Sequence, residues 1–191
     1  MRETGLTPCA RAMKGMNPMT TEVQANLNNV DLDAVAALAG AIQEDPEKGK
    51  TAWQAEVTWK GAFRSDVKIR DFAPIPSDEP PTLGGTDTAP NPVEQLLGAL
   101  GNCLVVGYAA NASASGIAIN DLRIDLSGDL DLHTFLGLRP GHAGYDGVTV
   151  EVHLDADASR EQLEELHRKV TETSPVGHTF INTVPVRIDL A

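Results

Sequence analysis

The sequence predicts an α+β fold, with antiparallel strands set around one long central helix. The run 96–115 is weakly polar, with clear helix start signals from Asn91 and a stop at Gly116. The segments on either side alternate apolar and polar residues with a period of two. These strand-like segments cluster as hairpins and do not alternate strictly with helices, which separates α+β from a doubly wound α/β arrangement.

Residues 1–30 read as a disordered tail: Met1, Met13, Met16 and Met19 stand among Pro8, Gly15 and Pro18 without any period. Residues 31–50 read as a short helix and linker. Asp31 caps it, Leu32, Val35, Leu38 and Ile42 share one face, and Pro46 and Gly49 end it. The remainder, 51–191, reads as one domain. Trp53, Ala55, Val57 and Trp59 alternate with polar neighbours, Gly61 breaks the run, and Phe63, Val67 and Ile69 resume it. This predicts a hairpin with one buried face. Residues 73–92 are rich in proline and glycine and predict a long loop, in which Ser77, Asp78 and Glu79 read as solvated surface.

The central helix opens with Asn91 as N-cap, Pro92 in the first turn and Glu94 three residues after the cap, and Gly116 is its stop. It is apolar nearly all round, so protein should surround it, and Asn102, Asn111, Ser113 and Ser115 argue against a membrane span. Gly98, Gly101 and Gly107 leave room for another backbone, such as the same helix of a second subunit. Leu122, Ile124 and Leu126 then alternate with Asp121, Arg123 and Asp125; Gly128 punctuates, and Leu130 and Leu132 resume. A glycine-rich loop at 137–147 leads to a strand through Val148, Val150, Val152 and Leu154. Ser159 with Gln162 starts a second helix, which Ser174–Pro175 ends. Val184, Val186, Ile188 and Leu190 predict a closing edge strand.

Composition narrows the function. A net charge of -12 excludes a surface that condenses on nucleic acid or anionic lipid. Cys9 and Cys103 are the two cysteines, with no CxxC and no disulfide framework, which fits a reducing, cytoplasmic setting. No HExxH or comparable spacing suggests a metal.

Cys103 is the first candidate for chemistry. A free cysteine is often a small buried hydrophobe, and both readings stay open. Thiolates are favoured at helix N-termini or beside cations, so a mid-helix sulfur needs a cation or donor from elsewhere in the chain. Glu94 is the second candidate, although a capping box alone explains it. It lies nine residues from Cys103, which at roughly 100° per residue puts the two on opposite sides of a regular helix. His178, in the segment Ser174–Thr179, is a third, as donor or base near a thiol.

The run Asn91-Pro92-Val93-Glu94-Gln95-Leu96-Leu97-Gly98-Ala99-Leu100-Gly101-Asn102-Cys103 resembles the central-helix motif of the OsmC/Ohr family, P-x-E-L-L-x-x-A-L-x-x-C. Ser174-Pro175-Val176 followed by Thr179 resembles that family's second site, C-P-V-x-x-T. The element order matches from about residue 51 onward.

The resemblance implies an intertwined homodimer with sites at the subunit interface. It also implies attack by the first cysteine, as thiolate, on an organic hydroperoxide. In such members a second cysteine closes a disulfide, an external dithiol restores both, and an arginine and a glutamate activate the first thiol. No cofactor or metal is implied. Carried over here, Cys103 takes the attacking position with Glu94 as the glutamate. Arg64 is the choice for the arginine, and Ser174 stands where the resolving cysteine would be. Serine forms no disulfide, so the resemblance implies at most a one-cysteine peroxidase that uses an external thiol. Two alternatives remain: a binding module for a small apolar molecule, or a structural dimer with an inert cysteine.

Overall fold

The computed structural model describes residues 26–190. The expected tail at 1–25 lies outside the described residues. Residues 26–30 are built into the fold. A single 3-10 turn, Leu27–Asn29, presents Asn28, whose side-chain amide donates to Ile117 O at 2.9 Å and accepts Ile119 N–H at 2.8 Å. The amide occupies the place of a strand neighbour at the start of the following sheet, and the left-handed φ of 54° lets the side chain turn inward. Helix α1, Leu32–Glu44, follows with Asp31 as its cap.

The chain is α+β, with antiparallel sheets about one long helix. Strands β1 (Glu56–Gly61), β2 (Arg64–Lys68) and β3 (Ile75–Ser77) form one antiparallel sheet in that order. The face expected to be buried is open: Val57 is 63% and Trp59 73% exposed, because no element among the described residues stacks on it.

The segment expected to be plain loop contributes β3 and a 3-10 turn at Pro81–Leu83. Asp78, expected on the solvated surface, is buried there as a hub. It accepts the N–H of Glu79 at 2.8 Å, and from Thr86 and Thr88 both N–H and hydroxyl, at 2.5 to 3.2 Å. A proline-rich segment has few ladder bonds of its own, and a buried carboxylate can collect the orphan donors.

Helix α2, Pro92–Ala114, is the spine. Its capping box is made in both directions, with Asn91 Oδ1 on Glu94 N–H at 2.9 Å and the Glu94 carboxylate on Asn91 N–H at 2.8 Å. The buried stripe is Leu100, Leu104, Tyr108 and Ala112, four residues apart, packed with Ile117 and with Leu166 and Val170 from a later helix. Strands β4 (Ile119–Leu130) and β5 (Tyr145–Ala156) form a long hairpin against it. Leu122, Ile124 and Leu126 face Leu154, Val152 and Val150 on the core side, while Asp121, Arg123 and Asp125 face solvent opposite Asp155, His153 and Glu151. Gly128 does not interrupt the strand. It makes room for Tyr145, whose ring would stand 2.7 Å from a Cβ there. The tip of the hairpin carries a short helix, α3, at Leu132–Phe135.

Helices α4 (Arg160–Thr173) and α5 (Pro175–Ile181) close the described fold. The helix glycines serve contacts within the chain. A Cβ on Gly101 would meet Leu126 at 2.8 Å and one on Gly107 would meet Val170 at 2.9 Å, so neither waits for a second helix; Gly98 has open space. The expected closing strand does not form: residues 183–190 pair with no described strand, and Val186 is 78% and Ile188 90% exposed.

The Asp78 hub makes a pH prediction. Its carboxyl lies below the usual carboxylate range, chiefly through the Thr86 hydroxyl, with the Thr88 and Glu79 N–H groups adding and burial opposing. A depressed folded value stabilises fully above the unfolded value, about 4, and is lost as pH falls through the folded one. Asp78→Asn should therefore melt several degrees lower than the parent at neutral pH. That gap should hold steady down to about pH 4 and shrink only below it, as read by thermal melts across acidic buffers.

Candidate functional site

Two helices bring the motif positions together. Cys103 lies one residue before Leu104 on α2, so its side chain falls at the edge of the buried stripe and is half-buried. Ser174 sits between α4 and α5 and is the N-cap of α5. Its Oγ accepts Gly177 N–H at 3.0 Å and lies 3.3 Å from Cys103 Sγ. Gly177 makes this approach feasible, since a Cβ there would stand 3.0 Å from Ser174 Oγ. The segment expected to be a turn is thus a short helix whose cap points at the sulfur.

The other sequence candidates are not gathered there within the one chain. The Glu94 carboxylate is held by its own capping box, beside Tyr145. Burial first, and then the Glu94 charge, push the Tyr145 hydroxyl up from its ordinary value; that hydroxyl donates to Val93 O at 2.9 Å. Arg64 is exposed at the start of β2, and its side chain makes no hydrogen bond or ion pair among the described residues. His178 is exposed, and its Nε2 donates to Glu172 O at 2.8 Å, a bond that closes the α4–α5 corner.

A second feature escaped the sequence reading. Tyr108 OH meets His167 Nδ1 at 2.5 Å, and burial raises the Tyr108 hydroxyl above its ordinary value. Residues 59 apart carry no shared spacing signal, so only the packing of α4 on α2 reveals the pair. Both line a cavity of about 570 Å³ between β5 and α4, with Leu104, Val150 and Phe180; Ser174 is on its wall and Cys103 is not. Among the described residues no group of three His, Cys, Asp or Glu side chains could hold a metal ion. Helix α2 is long and apolar enough to cross a membrane, yet here β4, α4 and α5 pack along it.

The family model for OsmC-like protein matches residues 85–189, more than half of the chain. The chain belongs to the OsmC-like family. No curated relative matches it in sequence. Three solved structures share the OsmC-like architecture. An OsmC like protein from Mycoplasma pneumoniae has 18% identity and TM-score 0.59, covering 69% of this chain and 89% of its own. An organic hydroperoxide resistance protein OsmC from Legionella pneumophila has 19% identity and TM-score 0.53, covering 69% and 91%. An organic hydroperoxide resistance protein from Elizabethkingia anophelis has 18% identity and TM-score 0.51, covering 68% and 89%. At these identities the likeness is one of fold.

The OsmC-like site geometry yields a direct test. With oxygen and sulfur 3.3 Å apart, Ser174→Cys in a Cys9→Ser background should form a disulfide to Cys103 on mild oxidation. Titration with a thiol reagent should then find no free thiol until a reductant is added; two persistent free thiols would contradict the placement.

Proposed function

We propose that the chain is a one-cysteine, thiol-dependent organic hydroperoxide reductase acting in peroxide stress. The observation that carries this reading is the contact of Ser174 Oγ with Cys103 Sγ at 3.3 Å in an OsmC-like fold. The two motif positions read from the sequence are neighbours in space, and the attacking position holds a half-buried, unpaired thiol. Two of the similar solved structures are hydroperoxide resistance proteins, which favours the same chemistry here.

In this reading the Cys103 thiolate attacks the outer peroxide oxygen. The O–O bond breaks, the alcohol leaves with a proton, and sulfur is oxidised to a sulfenic acid. Ser174 offers no sulfur to capture it. An external thiol therefore condenses with the sulfenic acid to a mixed disulfide and water, and a second thiol releases Cys103 and carries away the disulfide.

The reading includes a homodimer. Exposed apolar side chains on β1, on the outer face of α2 at Val106, and along the unpaired segment 183–190 form more open hydrocarbon than a lone domain ordinarily shows. A second copy is the occupant we propose. It is also what can bring an Arg64 or a Glu94 to the thiol, since one chain alone brings neither. Light scattering should give the mass of two chains; the mass of one would remove the dimer.

A second reading, a small-molecule-binding module, is favoured by the cavity between β5 and α4, which Cys103 does not line. One experiment separates the two. After cumene hydroperoxide, dimedone should label Cys103, with Cys103→Ser as the blank, and excess dithiothreitol should sustain peroxide consumption. No adduct and no consumption would remove the enzyme reading. A ligand-induced rise in melting temperature that persists in Cys103→Ser would then favour the binding module.

A further inference from the structure

Ser174 is engaged on two sides at once. Its Oγ accepts Gly177 N–H at 3.0 Å and lies 3.3 Å from Cys103 Sγ. A hydroxyl oxygen that accepts an N–H keeps its own proton to donate. Ser174 is only 5% exposed, so water competes poorly for that proton. The charged and titratable groups on the packed elements are engaged elsewhere. On α4, Glu165 and Glu172 hold Arg168, and His167 meets Tyr108. On α5, His178 bonds the Glu172 carbonyl, and on α2, Glu94 closes its own helix cap.

We propose that Ser174 is a positioning residue: its hydroxyl proton, aimed by the Gly177 N–H, is held on Cys103 Sγ and stabilises negative charge there, first on the thiolate and then on the sulfenate. The inference rests on the peroxidase reading for its chemistry. A thiol is a weak donor and a hydroxyl a good one. Serine at this position therefore exchanges disulfide formation for charge stabilisation, and the site keeps a working partner for its sulfur.

The test uses Cys9→Ser protein, in which Cys103 is the remaining thiol. Alkylation by monobromobimane, followed from weakly acidic to strongly alkaline buffer, reads the pH midpoint of thiol reactivity. Ser174→Ala and Ser174→Gly should each raise that midpoint by about one pH unit, and Ser174→Thr should restore it. Glycine is nearly as good an N-cap as serine, so Ser174→Gly keeps α5 in place if alanine loosens it. An unchanged midpoint in Ser174→Gly, or a midpoint in Ser174→Thr as high as in Ser174→Ala, overturns the proposal. Peroxide consumption by the parent protein separates the two claims. A shifted midpoint without consumption removes the peroxidase reading and leaves the role of Ser174 standing. Consumption without a shift does the reverse.

Discussion

The apolar surface of α2 must be covered on every side, and that requirement organises the molecule. A helix with hydrocarbon all round is stable only when other elements remove it from water. Within the chain, the β4–β5 hairpin, α4 and α5 cover the stripe of Leu100, Leu104, Tyr108 and Ala112. Both ends are pinned by polar groups: the N-terminus by its capping box and the Tyr145 hydroxyl, the C-terminus by the Asn28 amide. Truncation of one such buried leucine to alanine costs about 2–5 kcal/mol, a large part of a domain's net stability. Among the described residues the opposite side of α2, with Val105 and Val106, has no cover, and neither has the outer face of β1. The same constraint that folds the chain therefore leaves these two apolar faces open.

The position of the thiol follows from the same packing. Cys103 precedes Leu104 by one residue, so a rotation of roughly 100° takes its side chain from the centre of the stripe to its edge. There it meets the α4–α5 corner and nothing charged from its own helix. Glu94 stands nine residues earlier on the same helix, and its carboxylate is committed to the cap. Half-burial at an edge keeps the sulfur near one fixed polar neighbour, which a place in the middle of the stripe would not.

Much of this was legible in the residues, because the deciding interactions are local or periodic. The inward and outward residues of β4 and β5 follow from alternation alone, and both capping boxes follow from a three-residue spacing. The neighbourhood of Cys103 and Ser174 was implied by the resemblance of two distant segments to the OsmC/Ohr motifs, and neither spacing nor composition could link them. What was not legible depends on tertiary partners. Asp78 has no local mark separating it from a surface aspartate, since its donors come from Thr86 and Thr88 across a proline-rich turn. Gly128 has the same appearance as a strand break, and only the Tyr145 ring shows why a side chain is missing there. The alternation at 184–190 has the pattern of a strand, but a strand needs a neighbour to bond, and the described residues provide none, so the expected strand does not form.

The contact between positions 103 and 174 is set by backbone architecture and not by sulfur chemistry. Ser174 is placed by capping α5, by Gly177 lying too close for a larger residue, and by the His178 bond that shuts the α4–α5 corner. None of these depends on what the side chain at 174 donates or oxidises to, since serine and cysteine differ there by a single atom. A cysteine could occupy this corner and form a bond; a serine occupies it and can lend a proton. The fold thus holds constant the distance on which either chemistry relies, while one atom decides which chemistry is available. The arrangement of the corner and the chemistry it hosts are therefore separable, and the fold alone does not decide between them.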